Sequence, residues 1–190
     1  MRYFIYMLLC SALVTGCADL RKRASLDRFS KLCSEAQKTG NIKDTAEYCY
    51  KAYKDVEWEN LKPKLRSERL YNYGRILRKT GRFEDAKVAL TKALDDEIYL
   101  SGASSIESRR RMAELAATYY EMGEIDDGVK YVDRLISITE LHTGNDKEFI
   151  ARLLYSYASR LRGKQQQKSD EYKTKMREFG YSDKHFNGGR

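Results

Sequence analysis

Apolar residues follow two patterns along this chain. From Tyr3 to Val14 they form a run of 12 residues, preceded by Arg2 and followed by Thr15 and Gly16. From Asp27 to Phe179 they recur at three- and four-residue intervals, the spacing that lines one face of an α-helix. Three glycines punctuate this second region in similar settings: Lys38-Thr39-Gly40-Asn41-Ile42, Lys79-Thr80-Gly81-Arg82-Phe83 and Glu121-Met122-Gly123-Glu124-Ile125. They lie 41 and 42 residues apart. A helix-period segment precedes and follows each one. Each glycine is therefore expected to end a helix, where a positive φ carries no Cβ penalty. Local signals agree. Ser104 and Glu107 have capping-box spacing, Asn145 can cap a helix, and Pro63 suits a first helical turn. Gly163 to Lys168 reads as a turn, and Gly180 to Arg190 as a disordered tail.

The residues between these signals repeat. The second unit has Leu70, Tyr73, Gly74 and Leu77, then Ala86, Leu90 and Ala93. The third has Met112, Leu115, Ala116 and Tyr119, then Gly128, Val132 and Leu135. The first is degraded: Phe29, Leu32, Cys33 and Ala36, then Thr45, Cys49 and Ala52. The fourth opens with Leu154, Tyr157, Ala158 and Leu161 and closes on Tyr172, Met176 and Phe179. This spacing of bulky and small residues resembles tetratricopeptide repeats. The resemblance implies an all-α fold, a right-handed superhelical solenoid of antiparallel helix pairs. A period of 41–42 exceeds the familiar 34, which implies longer helices, and Ile136 to Gly144 resembles the extended repeat ends of kinesin light chains.

The opening run is too short to cross a bilayer, which needs roughly 20 apolar residues. With Arg2 ahead of it and small residues behind, it reads as a secretory signal. Val14-Thr15-Gly16-Cys17 resembles the lipobox of bacterial lipoproteins. That resemblance implies cleavage before Cys17 and lipidation of its side chain. It divides the chain into a signal peptide (1–16), a lipidated tether (17–26), a repeat domain (27–179) and the tail (180–190). Several acyl chains would anchor the protein stably. Ala18 after the cysteine, with Asp19 one place later, leans toward the periplasmic face of the outer membrane over the inner membrane. Arg21-Lys22-Arg23 then reads as a headgroup contact.

Cysteine usage follows from this compartment. Cys10 leaves with the signal and Cys17 is lipidated, which leaves Cys33 and Cys49 in an oxidising space. They are equidistant from the turn at Thr39-Gly40-Asn41 and fall on positions facing the partner helix. A disulfide is expected, with two buried thiols as the alternative.

No constellation for catalysis is visible. His142 and His185 fall in a loop and in the tail, and there is no phosphate-binding glycine loop or zinc spacing. Asp95-Asp96 and Asp126-Asp127 read as caps and solvated surface. No enzymatic activity, cofactor or metal is expected. What remains is surface. The chain carries a formal charge of +8. In tetratricopeptide proteins the leading helices line a concave face, and the resemblance places Tyr71, Arg75, Arg78, Lys79, Arg110, Tyr120, Arg152, Tyr155 and Arg162 there, with Glu68 and Glu121. Of Arg109-Arg110-Arg111, only one should point inward, because neighbours diverge by about 100° on a helix. Arginine offers bidentate donors and tyrosine rigid apolar area, which suits an acidic segment or C-terminal carboxylate. The expected function is a lipid-anchored periplasmic adaptor that holds another envelope protein in secretion, pilus or cell-wall assembly. The alternative is a binder of anionic polymer such as peptidoglycan or polysaccharide. Nucleic acid is disfavoured by compartment.

Overall fold

The computed structural model describes residues 28–58, 62–138 and 144–187. The segments read from the sequence as signal peptide and lipidated tether, Cys17 included, lie outside these, as do His142 and the last three residues. The chain divides into two compact units, Met1–Leu61 and Lys62–Arg190. Where the sequence pattern groups 27–179 as one repeat domain, the first hairpin belongs to a unit of its own. No strand occurs among the described residues.

The first unit holds α1 (28–39) and α2 (Ile42–Trp58). Gly40 joins them with φ +73°. The Asn41 side chain accepts a bond from the Asp44 backbone N–H at 3.1 Å and caps α2. The buried set is small: Cys33, Ala36, Thr45, Cys49 and Ala52. Cys33 and Cys49 are joined by a disulfide with Cα atoms 4.8 Å apart. Gln37 Nε2 donates toward both sulfurs, at 3.5 and 3.6 Å. Side chains this small bury little apolar area, so the covalent link carries much of the hairpin's cohesion.

The second unit stacks three helix pairs: α3 (Pro63–Lys79) with α4 (Phe83–Ser101), α5 (Ile106–Met122) with α6 (Ile125–Ser137), and α7 (Gly144–Leu161) with α8 (Gln166–Glu178). A short α9 (Asp183–Asn187) follows and packs on α7. The repeat glycines Gly81 and Gly123 have φ of +78° and +80°, as their alignment requires. Pro63 opens α3. The cap of α5 is Ser105, whose hydroxyl accepts from the Ser108 N–H, one residue later than the Ser104–Glu107 spacing indicates. α7 starts at Gly144, so Asn145 lies inside its first turn. α8 starts at Gln166, so two of the glutamines assigned to the last turn are helical.

The repeated positions form the core. Leu70, Leu90, Ala93, Met112, Leu115, Ala116, Val132, Leu135, Leu154, Tyr157, Tyr172 and Met176 are all buried. Gly74 allows α3 and α4 to approach closely, since a Cβ there would stand 2.6 Å from Leu90 Cγ. A buried polar group lies beside this core. Arg111 pairs with Glu97 at 3.0 Å and donates through Nε to the Ser67 hydroxyl at 2.9 Å. Ser67 in turn donates to the Ala93 carbonyl. Desolvation pushes the Arg111 pKa down and Glu97 opposes it. The acidic pairs act structurally: Asp96 binds Arg66, Asp126 accepts from Gln165 and Asp127 pairs with Lys130.

The C-terminal segment is a correction to the sequence pattern. Residues 183–187 form a helix, and Phe186 rests against Tyr155 with ring centroids 5.5 Å apart. A polar stretch with two aromatics carries no helical periodicity over so short a span, so its order depends on α7.

Candidate partner-binding groove

The leading helices α3, α5 and α7 pack in sequence, and residues between their packing positions share one face. A cavity of about 290 Å³ opens on that face. Ala113 and Ile150 form its floor, with Phe149 and Ile106 beside them. Ala113 is the reason for the space: a small residue stands on α5 where a longer one would fill it. Tyr71 forms a wall, its ring centroid 5.4 Å from Arg75 and 4.9 Å from Arg111. Burial and the nearby Glu114 carboxylate push the Tyr71 hydroxyl up to about 12.

The rim is ionic, and its charges are organised by the protein itself. Arg75 Nε and Arg78 Nε each donate to one oxygen of Glu114, both at 2.9 Å. Arg78 also reaches Glu121 at 2.6 Å. Arg110 grips Asp146 with bonds of 2.8 to 3.1 Å. Every rung joins one leading helix to the next. Burial opposes the Arg78 charge, but Glu114 and Glu121 outweigh it and hold its pKa above the ordinary value. At Arg110 the hydrogen bonds to Asp146 do the same. The lining carries Arg75, Arg78, Arg109 and Arg110 against Glu114 and Asp146, so it keeps a net positive charge.

Four of the nine partner-binding candidates, Tyr71, Arg75, Arg78 and Arg110, meet at this cavity. The others lie elsewhere. Lys79 is exposed at the end of α3. Tyr120 packs on Tyr157 and beneath Arg160. Arg152 and Tyr155 meet Phe186, and Arg162 is exposed. Of the arginine triplet, two line the cavity: Arg110 at the rim and Arg109 from a buried position. Arg111 is buried against Glu97. Two arginines thus line the cavity where one was expected; Arg110 and Arg111 each follow a carboxylate on a neighbouring helix, Asp146 on α7 and Glu97 on α4.

Sequence reasoning missed Glu114 and Asp146, which organise the rim. Glu114 was visible in principle: it stands four residues after Arg110 and three before Ala117, on the same helical face.

No family model matches the chain, and no curated protein matches it. Among solved structures the chain is similar to BtubC (BKLC) from P. vanneervenii, with a TM-score of 0.70 and 19% identity over 87% of this chain and 65% of that one. It spans less than two thirds of that protein's length. It is also similar to the kinesin light chain TPR-like repeats of Podosopora anserina, with a TM-score of 0.64 and 14% identity over 82% of this chain and 74% of that one. A singly substituted form of the same Podosopora anserina repeats gives a TM-score of 0.65. These likenesses establish the fold. The chain is an all-α, TPR-like array of helix pairs.

Proposed function

We propose that this protein is a membrane-tethered adaptor that seats a segment of a partner protein in the groove of α3, α5 and α7. The observation that carries this reading is the cavity floored by Ala113 and Ile150 and rimmed by paired arginines. An apolar floor takes an aliphatic or aromatic side chain, and the net positive rim takes carboxylates beside it. The preferred ligand is therefore an acidic segment or C-terminus carrying an apolar anchor. A plain anionic polymer offers no apolar anchor for a floor of Ala113 and Ile150, so the protein reading is favoured over the polymer one. The lipobox-like Val14-Thr15-Gly16-Cys17 supports the tether at Cys17 and a periplasmic location at the outer membrane. In this reading the chain performs no reaction of its own.

Cross-linking in envelopes followed by purification tests the groove. One specific protein should be recovered with the wild type and lost with Arg75→Gln plus Arg110→Gln, and equally with Ala113→Phe, which fills the cavity without changing charge. Recovery unaffected by either variant rejects the groove. Labelled palmitate entering the wild type but not Cys17→Ser tests the tether.

A further inference from the structure

We propose that the C-terminal segment Tyr181–Phe186 is an internal ligand that closes the α7 end of the groove. Phe186 lies against the Tyr155 ring at 5.5 Å and under the Arg152 guanidinium at 5.2 Å. Tyr181 stacks on Phe186 at 5.7 Å. Arg152 and Tyr155 are the residues that the leading-helix pattern places on the concave face.

The register explains the seat. Across the second unit, groove side chains of one leading helix meet those of the next: Arg75 meets Glu114 and Arg110 meets Asp146. Tyr155 and Arg152 meet Phe186 in the same way, so α9 takes the place of a following leading helix. It fills that place differently. α3, α5 and α7 each bury a row of residues, whereas no residue from Tyr181 to Phe186 is buried. The segment hangs from the turn at Gly180 and is anchored on α7 by ring and cation–π contacts. The Ser182 N–H donates to His185 Nδ1 at 3.0 Å and folds it into one turn, which presents Phe186 to the seat. A segment held this way exchanges with the open state far more readily than the core does. The seat therefore takes an aromatic side chain between a tyrosine ring and a guanidinium. In cis that side chain is Phe186, and a partner reaching Arg152 and Tyr155 must displace it. The closing role rests on the groove reading; the seat itself does not.

The test uses the full chain and a synthetic peptide of residues 180–187, followed by NMR. In Phe186→Ala the seat is vacated. Millimolar peptide should then shift the amide signals of Arg152 and Tyr155 by up to about two-fold more than in the wild type, where the tethered segment competes at comparable effective concentration. A peptide with serine in place of the phenylalanine should shift neither. Equal shifts in both proteins, or none in Phe186→Ala, would overturn the proposal. Should Phe186→Ala disturb signals beyond α7 and α9, Tyr155→Ala serves instead: its α9 amides should lose exchange protection while the core keeps it, and retained protection rejects the seat. Arg75→Gln plus Arg110→Gln leaves this seat untouched, so loss of the groove reading and loss of the latch are separate results.

Discussion

The Tyr157 hydroxyl stands over Gly128 so closely that a Cβ there would overlap it. The same hydroxyl donates to the Ala116 carbonyl at 2.7 Å. One tyrosine on α7 thus reads the backbones of both α5 and α6. A glycine inside a helix costs about 1 kcal/mol relative to alanine, and at Gly128 that cost is offset by the contact it permits.

Gly128→Ala is therefore expected to destabilise the protein by about 1–2 kcal/mol, because overpacking (about 1–3 kcal/mol) exceeds the propensity gain. Tyr157→Phe alone should cost about 1 kcal/mol through the lost hydrogen bond. The double variant should cost less than the sum, since the overlapping oxygen is gone. Urea unfolding of the four proteins measures this coupling. Additive effects would mean that the two residues do not meet.

Arg111 yields a second expectation. Its partner Glu97 is only 5% exposed at the side chain. Arg111→Ala should cost about 3–5 kcal/mol, because a carboxylate is left buried without a countercharge. Arg111→Met with Glu97→Gln should recover most of the loss. Because Arg111 also lies over Tyr71, the single variant should loosen the groove wall, visible as altered Tyr71 ring signals in NMR.

How much of this was legible in the sequence depends on the range of each interaction. Gly81, Gly123, Leu70, Tyr73, Ala86 and Ala93 declare themselves because turn chemistry and helix packing impose short, regular spacings. The ion pairs of the groove do not. Arg75 finds Glu114 39 residues away, and that match depends on how two helices are rotated against each other. The place of Arg111 was illegible for a related reason: in a run of three arginines nothing local shows that this one meets the buried Glu97 on α4. α9 was illegible because Phe186 and Tyr181 acquire their order from α7. The cap at Ser105 differs from expectation by one residue, because Ser108 supplies the N–H that Ser105 accepts from.

The disulfide should govern the first unit alone. Cys33→Ala with Cys49→Ala removes roughly 3 kcal/mol in the chain-entropy model for a loop of this size. The remaining buried side chains, Ala36, Thr45 and Ala52, are too small to replace it. Hydrogen exchange should rise across 28–58 in the reduced protein or the double variant and stay unchanged in α3 to α8. Uniform protection in both regions would show that the hairpin holds without the bond.

The raised Tyr71 pKa sets an alkaline limit. Burial first, and then Glu114, favour the neutral phenol and move it from its ordinary value to about 12. The folded protein therefore holds this proton more tightly than the unfolded chain does. The corresponding stability is present in full below about pH 10, where a free tyrosine still keeps its proton, and it is lost as pH rises from about 10 to 12. Burial raises Tyr157 and Tyr172 in the same direction. Unfolding free energy should fall across that window, and Tyr71→Phe should make the fall shallower by removing one proton from the balance. Ultraviolet titration of the phenolate absorbance should show these phenols ionising only as the helical signal collapses. If tyrosine ionisation is complete while helicity is intact, the buried neutral state of Tyr71 is wrong.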